Sequence, residues 1–95
     1  MHAVAVTWTM DAARAEEHQR ELRDRIVPAV RQAPEFFTGY WTYNLATGKS
    51  YVFIILESED AAGQLLDLIR RDDERGRVSG IRLDEIGLAE VVATA

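Results

Sequence analysis

The side chain best suited to chemistry in this sequence is His18. It falls at the edge of the apolar stripe of a predicted helix, one turn before Leu22. An imidazole there could look into an apolar slot and act as a general base, since imidazoles ordinarily titrate near neutrality. The plainer alternative is a half-exposed helix histidine partnered by Glu21 at i+3. Other chemistries find little support. His2 and His18 lie far apart on different elements, with no carboxylate pair beside either, so no metal-ligand spacing is present. The glycines are scattered rather than gathered into a phosphate loop, and nothing resembles a nucleophile elbow. The run Arg70 to Arg77 mixes both signs and reads as a solvated helix end. Trp8 and Trp41 have the plain reading of core or interface aromatics, and Asn44 that of a turn residue.

The elements that must position these groups can be read from periodicity. His2 to Thr9 alternates Val4, Val6 and Trp8 against Ala3, Ala5 and Thr7, the pattern of a first strand. Thr9 or Asp11 can cap the first helix. From Ala12 to about Gln32 the apolar positions Ala15, Leu22, Ile26, Ala29, Val30 and Ala33 recur at helical spacing. Pro28 inside this helix predicts a kink or restart, and Pro34 ends it. Phe36 to Asn44 and Tyr51 to Leu56 then read as two strands of a hairpin, the second apolar enough to be buried on both faces. Ser58 to about Asp73 is a second helix, with Ala62, Leu65, Leu66 and Ile69 buried and Gly76 as its stop. Arg77 to Asp84 is a polar connection with a short extended piece at Ile81 to Leu83, and Glu85 to Ala93 alternates as a last strand.

The hairpin register decides which aromatics share a face. A three-residue loop with Gly48 left-handed pairs Leu45 with Lys49, placing Trp41 opposite Phe53 and Tyr43 opposite Tyr51. A two-residue or four-residue loop moves Trp41 opposite Ile54 and exchanges the faces of the second strand relative to the third. The first register is favoured. With it, Trp41, Tyr43, Tyr51, Phe53 and Ile55 form a face that two helices leave uncovered, and a patch so apolar calls for a partner chain.

The order strand, helix, strand, strand, helix, strand predicts an α+β fold. It is a ferredoxin-like split βαβ arrangement, a four-stranded antiparallel sheet with two helices on one face and the first and third strands central. At 95 residues and 47% hydrophobic the chain reads as one domain, residues 1–95, of a size that buries only roughly two thirds of its unfolded surface, so that a partner chain would help it. Having no cysteine, it has neither disulfides nor thiolate metal sites, and a cytoplasmic location is expected. No apolar stretch approaches the roughly 20 residues needed to span a bilayer. A net charge of -5 disfavours nucleic acid and anionic membrane surfaces as partners.

On this order, the chain resembles the dimeric α+β barrel proteins, in particular the antibiotic-biosynthesis-monooxygenase-like branch. The residues that carry the resemblance are Val27-Pro28 and Ala33-Pro34 leading to Phe36, the apolar third strand passing into Glu57-Ser58-Glu59-Asp60-Ala61-Ala62, and the final Glu90-Val91-Val92. Relatives typically have Pro-Gly where this chain has Pro34-Glu35. The resemblance implies a homodimer, with a pocket in each subunit between sheet and helices. The family's functions are mixed: cofactor-free oxidation, haem degradation, lactone isomerisation and roles not known. Haem degraders of the family carry a Trp where this chain has Leu56, an Asn in the first strand and a later His. None of the three is matched here, so haem degradation is disfavoured and no cofactor is expected.

Cofactor-free members need an apolar slot and polar groups that help deprotonate an aromatic substrate, and this chain offers Trp8, His18, Tyr40, Asn44 and Arg82 as the residue types. The expected pocket is lined by Trp8, His18, Leu22, Tyr40, Val52, Ile54, Leu56 and Leu65, with Leu56 in place of a larger aromatic leaving space. A small aromatic ligand suits it. Two functions are compatible with this, a non-catalytic dimer that binds a small apolar molecule, or a cofactor-independent monooxygenase or isomerase using His18.

Overall fold

The computed structural model describes residues 1–75 and 81–95. In chain order these are β1 (His2–Met10), a 3-10 turn (Ala12–Arg14), α1 (Ala15–Glu21), a π-helical segment (Leu22–Ile26), α2 (Val27–Arg31), β2 (Phe36–Trp41), β3 (Lys49–Leu56), α3 (Glu59–Arg75) and β4 (Ile81–Glu90). The strands form one antiparallel sheet in the order β2-β3-β1-β4, with the first and third strands central. This is the ferredoxin-like arrangement.

Alternation along the central strands sends Val4 and Val6 of β1 and Val52, Ile54 and Leu56 of β3 to the helical side. There they meet Ala61, Ala62, Leu65 and Leu66 of α3 in one core. The other set on β3, Tyr51 and Phe53, stays exposed. β3 is therefore buried on one face within a single chain, where its apolar run suggested both.

The first helical stretch is broken into parts. Pro28 has no N–H for the carbonyl of Asp24, and its ring crowds that carbonyl. The backbone widens into the π-helical segment Leu22–Ile26 immediately before α2 instead of running on as one kinked α-helix. Asp11 caps the preceding turn, its carboxylate accepting from the Ala13 amide at 3.0 Å.

Ser58 caps α3, its hydroxyl oxygen accepting from the Ala61 amide at 3.2 Å and donating to the Glu35 carboxylate at 2.8 Å. Glu35, which stands where the family resemblance puts glycine, has φ 61. That left-handed conformation costs a side-chain-bearing residue energy. The Ser58 contact and a 3.0 Å bond from the Glu57 amide to the Glu35 carbonyl hold it there. The expected helix stop at Gly76 lies outside the described residues.

β4 is one strand rather than a short extended piece followed by another. Thr7 pairs with Glu85 and Trp8 with Leu83, which leaves Asp84 as the extra residue of a bulge. The bulge lets Leu83 and Ile86, three positions apart, both pack on the core. After Glu90 the chain leaves the strand, its Val91 amide donating to the Met1 carbonyl at 3.0 Å. No helix among the described residues is long and apolar enough to cross a membrane.

Candidate binding cavity

The hairpin loop sets the geometry of the site. Asn44 pairs with Lys49, so the loop has four residues, 45–48, and Trp41 stands opposite Val52. The loop has the four residues of the less favoured alternative and the faces are exchanged as that alternative expected, but Trp41 meets Val52 rather than Ile54. The cause is local: the Asn44 side-chain oxygen accepts from the Ala46 and Thr47 amides at 3.0 and 3.3 Å, and its carbonyl accepts from the Gly48 amide at 2.8 Å. The asparagine begins the turn from within, one residue earlier than a three-residue loop would allow. Gly48 is left-handed as expected, φ 73, and a Cβ there would lie 2.8 Å from the Met10 carbonyl oxygen.

This register turns β2 over. Trp41 faces the helices beside Val52, and Tyr40 lies opposite Phe53 on the open face, 63% exposed. Trp41 and Tyr43, expected on the open face, line a cavity of about 410 Å³ between the sheet and the first helical stretch. The indole of Trp41 folds across Gly39, where a Cβ would come within 2.8 Å of the ring.

Of the residues expected to line a pocket, the structure brings together Trp8, His18, Leu22, Val52 and Ile54. Three are elsewhere. Tyr40 is on the opposite face for the reason just given, while Leu56 of β3 and Leu65 of α3 sit in the solid core between sheet and helix, 0% and 5% exposed, and do not line the cavity. Leu56 therefore opens no slot, because the space its side chain leaves is taken up by close packing. The π-helical segment supplies Leu22 and Ile26 to the wall, and Val30 of α2 joins them. At the mouth stand the exposed Arg23, Arg25 and Asp72, with Arg25 paired to Glu21.

His18 is 5% exposed, and neither ring nitrogen has a hydrogen-bond partner. The expectation of a half-exposed histidine held by Glu21 fails, because Glu21 turns to Arg25 one turn further on. The Tyr43 hydroxyl is likewise buried and unpartnered at the same wall. Leaving a buried polar group unsatisfied costs about 1–3 kcal/mol, and folded proteins rarely tolerate it. Both residues line the cavity. Ser50, also at this wall, is satisfied, its hydroxyl donating to the Thr42 carbonyl at 2.7 Å.

The remaining candidates have structural tasks. Asn44 is the turn residue described above. Arg82 is paired with Asp84 at 2.8 Å, in a cluster with Thr9 and Lys49 away from the cavity. The Thr9 hydroxyl, then Lys49 and Arg82, hydrogen-bond the Asp84 carboxyl and hold it well below the usual carboxylate range. Among the described residues no cluster of three or more acidic or imidazole groups is arranged for a metal. Nor do these residues fit haem as the resembling degraders hold it. Leu56 is sealed in the core, β1 has no Asn, and the imidazole at the wall belongs to α1 rather than to a later element.

Tyr43 was missed in the sequence because its face depends on the loop length. The signal that could have found it is Asn44 itself, whose side chain starts the turn one residue earlier.

No family model matches the sequence, and no curated protein is a significant match. Solved structures do match. The haem-degrader MhuD from Mycobacterium tuberculosis, with two haems bound in its active site, superposes with TM-score 0.72 at 16% identity, covering 100% of this chain and 99% of that one. The monooxygenase ActVA-Orf6 of Streptomyces coelicolor, in complex with Nanaomycin D, gives 0.65 at 13% identity over 99% and 89% of the two chains. A dimeric ferredoxin-like protein from an uncultured marine organism gives 0.69 at 8% identity over 99% and 96%. The chain thus has the ferredoxin-like α+β fold shared by the antibiotic-biosynthesis-monooxygenase-like proteins.

Proposed function

We propose that this protein binds a small, flat, mostly apolar molecule in the cavity between its sheet and first helical stretch, and that it does so as a homodimer whose open sheet faces meet. The observation that carries the binding reading is His18, a buried imidazole with no partner at the wall of an otherwise largely apolar space. The dimer reading rests on the exposed Tyr40, Tyr51 and Phe53, and a structural neighbour is itself described as dimeric. A cytoplasmic setting fits the cysteine-free composition.

Both tryptophans line the cavity, so fluorescence reports on its occupancy. Titration with anthrone-like and naphthoquinol-like compounds is expected to quench it with micromolar affinity. Absence of saturable quenching across a varied aromatic panel would remove the reading. Haemin added in the same assay is expected to give no stoichiometric Soret shift.

A second reading, cofactor-independent oxidation, is favoured by the same imidazole. Neither nitrogen is tied to a protein partner, so the acceptor nitrogen of the neutral ring can take a hydroxyl proton from an electron-rich aromatic, and the resulting anion can pass electrons to dioxygen. Oxygen uptake would then persist after metals are chelated and flavin removed, and His18→Ala would lower it about 10²-fold or more. Binding with no uptake leaves the first reading alone in place.

A further inference from the structure

The unpartnered groups at the cavity wall come from two separate elements, His18 from α1 and Tyr43 from the segment after β2. Their hydrogen-bonding capacities are specific. A neutral imidazole has one N–H donor and one acceptor nitrogen, and a phenol hydroxyl both gives and takes a hydrogen bond. The wall near them is made of Trp8, Leu22, Val52 and Ile54, which offer hydrophobic contact or ring stacking. The charges at the mouth are of both signs, Arg23 and Arg25 with Glu21 and Asp72, so the entrance sets up no field that selects an anion. A carboxylate carried past them would lose its water to a largely apolar space.

We infer, resting on the binding function proposed above, that Tyr43 is a specificity-determining residue. Together with His18 it selects an uncharged aromatic ligand that bears both a hydrogen-bond donor and an acceptor. The two residues are anchors for two polar points of one molecule, and the apolar wall accepts the ring between them. Sites built to hydrogen-bond a ligand reject analogues lacking the group, because the site's own polar atoms are then stranded.

The test uses the intact protein and probes of one ring system: naphthalene, a naphthol, an acetylnaphthol with hydroxyl and ketone at opposite ends, and naphthoate. The acetylnaphthol should bind tightest and naphthoate weakest. Tyr43→Phe removes one oxygen atom and should cost the acetylnaphthol about tenfold in Kd, the loss of one hydrogen bond. The same change should leave naphthalene unchanged or bound more tightly, a pattern that a merely structural role for Tyr43 would not produce. His18→Leu should behave in the same way. Circular dichroism of each variant checks that the fold is retained. Equal affinity for naphthalene and acetylnaphthol, tightest binding of naphthoate, or indifference of the acetylnaphthol to Tyr43→Phe would overturn the inference while the binding function stands. Failure of every probe to bind would overturn both.

Discussion

The two faces of the sheet are both rich in aromatic residues, and they differ in what those residues leave undone. On the open face Tyr40, Tyr51 and Phe53 present ring area to solvent, and the polar groups around them are paired with one another: Thr9, Lys49, Arg82 and Asp84 form a closed cluster at one end. On the helical face Trp8 and Trp41 are half covered, and the polar groups beside them, His18 and Tyr43, are buried without partners. Uncovered apolar area is suited to association, which is non-directional and scales with the surface removed from water. Unmade hydrogen bonds are suited to recognition, which depends on a few placed atoms. A single alternating strand, β3, presents both kinds of surface by giving Tyr51 and Phe53 to one side and Val52 and Ile54 to the other.

The contrast breaks most visibly at Phe53. An aromatic side chain buries about 150–250 Å² at about 25 cal/mol per Å², so a second copy covering this face would gain several kcal/mol from each ring before association costs. Phe53→Asp is expected to give a monomer or insoluble protein, and light scattering after size exclusion at micromolar concentration distinguishes these from the dimer. A wild-type protein that elutes with the mass of one subunit would remove the association half of the comparison.

A smaller effect tests where the cavity ends. Leu56 is fully buried in the core, so Leu56→Trp overpacks it and is expected to cost about 1–3 kcal/mol, read as a lower denaturation midpoint, while the folded protein keeps whatever affinity the wild type shows for the aromatic probes. Unchanged stability together with lost binding would put Leu56 at the cavity wall after all.

The smallest expected effect concerns the polar cluster on the open side. Asp84 is held ionised by its hydrogen bonds from Thr9, Lys49 and Arg82. A carboxyl whose folded pKa is depressed adds stability that is present above its unfolded value, near pH 4, and lost as the pH falls toward the folded one. The wild type should therefore lose melting temperature on acidification below about pH 4, and Asp84→Asn should show a shallower decline in that range. Because the carboxylate reaches solvent, the difference should be slight and should fade at high salt. Superimposable acid slopes for the two proteins would mean that the cluster contributes nothing to the folded state.

The element order, the antiparallel sheet with β1 and β3 at its centre, the helix cap at Ser58 and the apolar sides of β1 and β3 were legible in the residues, because periods of two and near four are local properties of the chain. The face taken by β2 was not. It turns on one residue of loop length, and that residue is decided by the Asn44 side chain bonding its own turn and by Gly48 fitting against Met10 from another strand. Moving the pairing by one carried Tyr40 out to the open face and brought Trp41 and Tyr43 in to the cavity. His18 shows the same division. Its place near an apolar stripe could be read from spacing, but its burial without a partner depends on how a stretch widened before Pro28 lies on the sheet. That packing involves residues distant in sequence, and only the tertiary structure brings them together.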